Sequence, residues 1–183
     1  MKIKKLNSTQ IYKGEFISFY NDEILIDDKI KTVREYIIYP PAVGIIPVLE
    51  NEKIVMVEQF RYANNMFSLE IPAGKILDNE DLKYAAIREL EEETGFRTSP
   101  ENLVKLYTYT PAISYSTEKL TIFVAKNLEK TEQDPDEDEI IKVKILSLYE
   151  ILDLINENKI MDSKTVLAIL MYKYSFMEKY GEV

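Results

Sequence analysis

The chain has 183 residues, 46% of them hydrophobic and 30% charged, with no Cys, His or Trp, enough for one sizeable core and close to the usual length of a single domain. Lys and Arg number 23 against 32 Asp and Glu, a formal charge of −9, which repels a bare polyanion and argues against nucleic-acid binding. Lacking thiol and imidazole, the chain cannot build a Ser-His-Asp or Cys-His nucleophile, a zinc site of the common N/S type or a disulfide framework. What remains is carboxylate, Lys, Arg, Tyr and hard-metal chemistry.

The basic start, Met1 to Gln10, is followed by no apolar run, and nowhere do ~18 apolar residues follow one another, so no membrane partner is expected and the cytosol is the simplest location. No period of 20–50 residues repeats. From Ile3 to Tyr39 the chain is rich in Ile, Tyr, Phe and Val, with turn-like breaks at Lys13-Gly14 and Asp27-Asp28, which predicts two or three antiparallel strands. Ala42 to Val48 and Lys53 to Phe60 are apolar runs around a polar Glu50-Asn51-Glu52 turn and read as a hairpin. Phe67 to Ile71 reads as another strand.

Asp78 to Thr94 has helix composition without internal Gly or Pro and stops at Gly95, a residue suited to the left-handed end of a helix. Val104 to Tyr109, Leu120 to Ala125 and Ile140 to Ile145 are further strands, with an acidic loop from Glu132 to Glu139 between the last two. Two amphipathic helices, Ser147 to Glu157 and Asp162 to Tyr180, close the chain, each with a Ser or Asp N-cap. Sheets with flanking helices give a layered α/β or α+β domain.

On the Asp78–Thr94 helix, Ala86, Ile87 and Leu90 fall in one sector and Glu89, Glu92 and Glu93 in the adjoining one, with Glu91 directed elsewhere. Carboxylates spaced i, i+3 and i+4 repel, more so when half buried. A hard divalent cation such as Mg²⁺ or Mn²⁺ would offset that repulsion, and Arg88 could steady the carboxylates by bidentate hydrogen bonds. Three glutamates on a helix more often mean a solvated face; the neighbouring residues decide against that here.

Gly74, Glu80, Arg88, Glu89, Leu90, Glu92, Glu93, Gly95 and Phe96 stand in the order Gly-x5-Glu-x7-Arg-Glu-Leu-x-Glu-Glu-x-Gly-Phe. This resembles the Nudix box of the Nudix hydrolase family at every defined position. The resemblance implies a Nudix fold, a mixed β-sheet between helices, with the box as a metal-binding loop-helix-loop and N-terminal antiparallel strands ahead of it. It implies hydrolysis of a nucleoside diphosphate linked to another moiety, with Glu89 and Glu93 as principal metal ligands, Glu92 as a further ligand or catalytic helper, and the Ala73 carbonyl as an added donor. Glu80 and Arg88 would brace loop and helix, and Mg²⁺, with Mn²⁺ as a substitute, would be the cofactor.

Features outside the box resemble the ADP-ribose pyrophosphatase branch. Ser68-Leu-Glu-Ile-Pro-Ala-Gly74 leads into the box, with Glu70 as a substrate-binding candidate, and Glu58-Gln-Phe-Arg61 ends a strand, with Arg61 placed for the substrate phosphates. Pro111 stands sixteen residues beyond Gly95, as a proline does in that branch. The acidic loop would supply Glu137 as general base and Glu139 as an auxiliary metal ligand, roles that could be exchanged, and Glu118 is a weaker candidate for the same catalytic work. The N-terminal strands resemble those that this branch exchanges between subunits, so a homodimer is implied, with Phe16 stacking on adenine and Arg34 reaching across it. Residues 1–38 would be this dimerisation and pocket element and 39–183 the Nudix hydrolase domain.

Pro40-Pro41-Ala42 and Pro111-Ala112 depart from the branch's His-Pro-Gly and Pro-Gly, which bears on base and terminal-ribose selectivity rather than on the metal chemistry. ADP-ribose is the leading substrate, giving AMP and ribose 5-phosphate. GDP-mannose, a UDP-sugar or a binding-only nucleotide sensor are the alternatives.

Overall fold

The computed structural model describes residues 1–135 and 140–177. Two compact units emerge, one of residues 1–41 with 109–120 and one of residues 42–108 with 121–183. In the first unit, β1 (Ile3–Lys13), β2 (Ser18–Ile26) and β3 (Ile30–Ile38) form an antiparallel sheet in that order. Asp27 and Asp28 take φ of 48° and 54°, with the Lys29 N–H donating to Ile26 O at 3.0 Å, a positive-φ pair that turns the chain within the three-residue connection Asp27–Lys29. Around Gly14 the chain reverses through Gly14 N–H to Ile17 O at 2.8 Å. β1 shifts register between Lys5 and Asn7 and between Gln10 and Tyr12, and all of its residues are exposed. The 109–120 segment joins this unit through Ile37 N–H to Tyr115 O at 2.7 Å and Thr117 N–H to Ile37 O at 3.0 Å.

In the second unit, the strands are β4 (Ala42–Pro47), β5 (Ile54–Arg61), β6 (Met66–Glu70) and β7 (Ala73–Lys75). The helix α1 (Leu82–Thr94) is followed by β8 (Phe96–Arg97), β9 (Leu103–Tyr109), β10 (Leu120–Ala125), β11 (Glu129–Lys130) and β12 (Ile141–Leu146). One sheet runs β7-β4-β10-β9, a second β12-β5-β6, and β11 pairs with β8. β4 and β10 are buried along their whole length, as expected of central strands covered on both faces. Val43, Ile45, Val55, Leu90 and Phe123 are among the side chains packing one core with α1.

The hairpin expected of the two apolar runs does not form as a paired ladder. The turn is present, with Leu49 N–H to Lys53 O at 2.9 Å and Glu52 at φ 61°, but β4 and β5 belong to different sheets and meet at a single Val48–Ile54 bridge. A tight turn dictates chain reversal, not sheet partner, and two strands apolar on both faces gain more by each entering a covered layer.

α1 begins four residues later than its composition predicts. Asn79 takes φ 64°, and Glu80 closes a turn by donating its N–H to Leu77 O at 3.0 Å and accepting Leu77 N–H at 2.9 Å. Asp81 then caps the helix, accepting from Lys83 N–H at 2.8 Å. After β12, α2 (Leu148–Asn156) opens on a Ser147–Glu150 capping box, and α3 (Ser163–Tyr172) opens on Asp162. Past Tyr172 the chain widens into a π-turn over Lys173–Met177, and the expected extension to Tyr180 lies outside the described residues. No helix among the described residues is long and apolar enough to cross a membrane.

Candidate active site

Arg88 organises the carboxylates of α1. Its Nε and Nη2 donate to the two oxygens of Glu80 at 2.9 Å each, its Nη2 also to Lys75 O at 2.9 Å, and its Nη1 to Glu89 at 2.8 Å and Glu92 at 2.9 Å. Planar guanidinium geometry suits this division, since each edge meets a different acceptor. The hydrogen bonds that Arg88 donates to Glu80 foremost, with the charge of Glu89, raise the Arg88 guanidinium far above its ordinary value, and the same bonds draw the Glu80 carboxyl below the usual range. Part of the carboxylate repulsion anticipated from spacing alone is therefore met by a side chain of the same helix.

Gly74 permits the close approach of this helix to β7. A Cβ there would lie on the Glu89 carboxylate, so any other residue would push Glu89 away. One turn on, Glu93 is 3% exposed and its Oε2 accepts the Ala73 N–H at 2.9 Å, tying the end of α1 to the segment that enters the box. Glu91 lies away from this group and sits 3.7 Å from Arg97.

The C-terminal end of α1 is fastened to the start of the acidic loop. Thr131 N–H donates to Gly95 O at 2.8 Å, Asp134 N–H to Glu92 O at 3.0 Å and Gln133 Nε2 to Glu93 O at 2.7 Å, which satisfies carbonyls that a helix end leaves open. A cleft of about 750 Å³ runs alongside, lined by Glu80, Tyr84, Arg88, Glu92, Arg97 and Gln133 among others.

A second charged group stands where β6 leads into the box. Glu70 is 2% exposed and accepts from Arg61 Nε at 2.7 Å and Arg61 Nη2 at 2.6 Å, with Lys164 Nζ on the same Oε2. Burial pushes the Glu70 carboxyl up, but the Arg61 bonds and the Lys164 charge outweigh it and bring it down to about 2. Lys164 lies 3.1 Å from Asp162, and Thr165 Oγ1 accepts the Ile71 N–H at 2.9 Å. Glu70 foremost, with smaller contributions from Asp162 and Glu93, raises the Arg61 guanidinium above its ordinary value.

Of the candidates drawn from the sequence, Ala73, Arg88, Glu89, Glu92 and Glu93 gather around α1, and Arg61 and Glu70 pair beside them. Phe16, Arg34, Pro111 and Glu118 belong to the other unit, where Phe16 is 54% exposed, Arg34 donates to Val33 O at 2.8 Å and Glu118 N–H donates to Ser116 Oγ at 3.1 Å. Glu137 and Glu139 lie outside the described residues. Lys164, Thr165 and Gln133 escaped the sequence reading, which took Asp162 only as a helix cap. Gln133 lay inside an acidic run with no signal of its own, and Lys164 reaches Glu70 across 94 residues of chain.

As donors, the α1 carboxylates and the Ala73 carbonyl are hard oxygens of the kind that Mg²⁺ and Mn²⁺ prefer. Gly74 leaves room for the Glu89 carboxylate against the strand. Among the described residues no three such side chains already close around one point. The donor set suits a hard cation in its chemistry.

Residues 38–166 match the model of the NUDIX domain. The chain belongs to the Nudix family. Nudix hydrolases generally use divalent metal ions. The protein is 37% identical to the methanol dehydrogenase activator of Bacillus methanolicus and 33% identical to the ADP-ribose pyrophosphatase of Bacillus subtilis, each over 91% of this chain and 90% of the relative. A crystal structure of an ADP compounds hydrolase superposes with a TM-score of 0.88 at 23% identity, covering 100% of this chain and 98% of that one, a likeness of fold.

Proposed function

We propose that this Nudix hydrolase cleaves the pyrophosphate bond of a nucleoside diphosphate sugar, with ADP-ribose as the substrate and AMP and ribose 5-phosphate as products. The observation that carries the chemistry is the complete carboxylate set of α1, ordered by Arg88 and by the Glu93–Ala73 bond. The choice of ADP-ribose is supported by the likeness to the Bacillus subtilis ADP-ribose pyrophosphatase along 91% of the chain.

In this reading Glu89, Glu92, Glu93 and the Ala73 carbonyl hold Mg²⁺, for which Mn²⁺ can substitute. When bound, the ion neutralises charge on the diphosphate oxygens and acidifies a water. The chain's own groups do the rest. Arg88 keeps Glu89 and Glu92 from swinging into solvent, Glu137 takes the proton of the attacking water, and Glu139 supports the metal site, with Glu118 the lesser candidate for base. Arg61 donates to Glu70 through one edge, and its Nη1 has no acceptor among the described residues; this outer edge is offered to a phosphate oxygen. Phe16 stacks on the base, with Arg34 and Pro111 completing the pocket.

The reading includes a homodimer built through the N-terminal strands. It is supported by Ile3, Leu6, Ile11 and Tyr12 of β1, each more than 40% exposed, an apolar strand that a second copy would cover. A cytosolic location completes it, where nucleotide sugars and Mg²⁺ are both abundant. A GDP-sugar is the second reading, favoured by 28% identity to the GDP-mannose pyrophosphatase of Yersinia pestis over 92% of the chain. Comparing kcat/KM over ADP-ribose, GDP-mannose, UDP-glucose and dinucleoside polyphosphates decides between them. ADP-ribose is expected to lead, and a preference for a non-adenine sugar would replace it.

A further inference from the structure

Arg61 has a carboxylate partner that is almost wholly out of water, and such a pair normally cancels its own charge. Here a second cation shares the carboxylate. Glu70 Oε1 accepts from Arg61 Nε, while Oε2 accepts from Arg61 Nη2 and from Lys164 Nζ. The Lys164 side chain is 13% exposed and the Arg61 side chain 42%, so the lysine is the inner cation and the arginine the outer one.

The lysine is also held in place. It is the second residue of α3, whose start is fixed by Asp162 Oδ2, accepting Thr165 N–H at 2.9 Å and Thr165 Oγ1–H at 2.6 Å. Ile71 N–H then bonds Thr165 Oγ1 at 2.9 Å, joining the helix to the residue after Glu70. Asp162 balances the charge of Lys164 from one side at 3.1 Å while its cap bonds hold it at the helix end.

We infer that Lys164 is a positioning residue for substrate binding: by sharing Glu70 it pins that carboxylate, offsets Asp162, and keeps the outer edge of Arg61 available to a phosphate of the nucleoside diphosphate sugar. This rests on the reading of Arg61 as a phosphate contact. With Lys164 present, Arg61, Lys164, Glu70 and Asp162 balance; without it Arg61 faces the two carboxylates alone and the group turns net negative where a phosphate is to bind. The effect belongs to binding, because the outer edge meets the substrate before and during reaction alike.

The test uses the full-length enzyme with ADP-ribose and Mg²⁺. Lys164→Gln keeps a donor for Glu70 and removes the charge; KM should rise about tenfold with kcat within about twofold of the parent, the signature of lost uniform binding. Lys164→Arg should restore KM to within about threefold of the parent. Added to Arg61→Ala, Lys164→Gln should raise KM no further, because it acts through Arg61. If Arg61→Ala leaves KM unchanged, the reading of Arg61 fails. If Arg61→Ala raises KM but Lys164→Gln does not, or lowers kcat instead, or adds to Arg61→Ala, the positioning role fails. Should Lys164→Gln not fold, the comparison passes to Lys164→Arg and Lys164→Met, where equal KM values would overturn the inference and a higher KM for Met alone would support it.

Discussion

Glu93 combines two properties that rarely coincide, a carboxylate 3% exposed and a place on the helix face to which the proposed metal chemistry is assigned. Glu93→Gln keeps its size and an oxygen for the Ala73 N–H while removing the charge. Turnover should fall at least about 100-fold with melting temperature nearly unchanged, as read by steady-state kinetics beside thermal denaturation; normal turnover would reject Glu93 as a ligand. Glu70 gives a pH prediction. Its carboxyl is drawn from 4.5 to about 2 in the fold, so the folded state prefers it ionised. The resulting stability is fully present above pH 4.5 and is lost as pH falls through about 2, a contribution on the order of 3 kcal/mol. Glu70→Gln should flatten that acid limb in denaturant titrations across this range, and an unchanged limb would place the acid sensitivity elsewhere.

At the scale of elements, the junction of α1 with the loop after β11 is the tightest place around the site. Gly95 takes φ 63°, and a Cβ there would stand 2.9 Å from Gln133 N and 3.2 Å from Thr131 O. Gly95→Ala therefore combines left-handed strain with a backbone clash, and a loss of about 2 kcal/mol is expected in chemical denaturation. Because Thr131, Gln133 and Asp134 all bond the last turn of α1, the same change should lower kcat more than a surface mutation of equal destabilisation. Parent-like kinetics in Gly95→Ala would show that the junction serves stability alone. The box spacing made the end of α1 legible, since Gly95 stops a helix by its own backbone preference. The start was less so. Asp78 and Asp81 are equally good caps on paper, and the left-handed Asn79 with the Glu80–Leu77 turn selects the second.

For the whole molecule, the N-terminal sheet carries the surface on which the proposed dimer rests, with every residue of β1 exposed. Removing residues 1–38 deletes β1, β2 and β3 together, and light scattering with activity assays should show the proposed dimer and the hydrolysis lost at once. An active monomer would refute strand exchange. The chain divides into its units in a way that a linear boundary cannot express, because residues 109–120 join the N-terminal strands through hydrogen bonds at Ile37. A boundary drawn at residue 38 from the sequence follows the chain; the compact units follow the backbone pairing.

The sequence by itself determined the longer strand-forming segments, though not the short β7, β8 and β11, the two hairpin breaks of the N-terminal region, the α1 glutamates and the arginine beside them, and with these the family. Each rests on local spacing, where backbone preference and helical periodicity act over a few residues. Only the tertiary structure decided that β4 and β5 enter separate sheets, that Glu70 is buried between Arg61 and Lys164, and that Gln133 closes the end of α1. Those outcomes depend on which distant surfaces exclude water from one another, and the pairing of a carboxylate with a lysine 94 residues away leaves no trace in the neighbours of either.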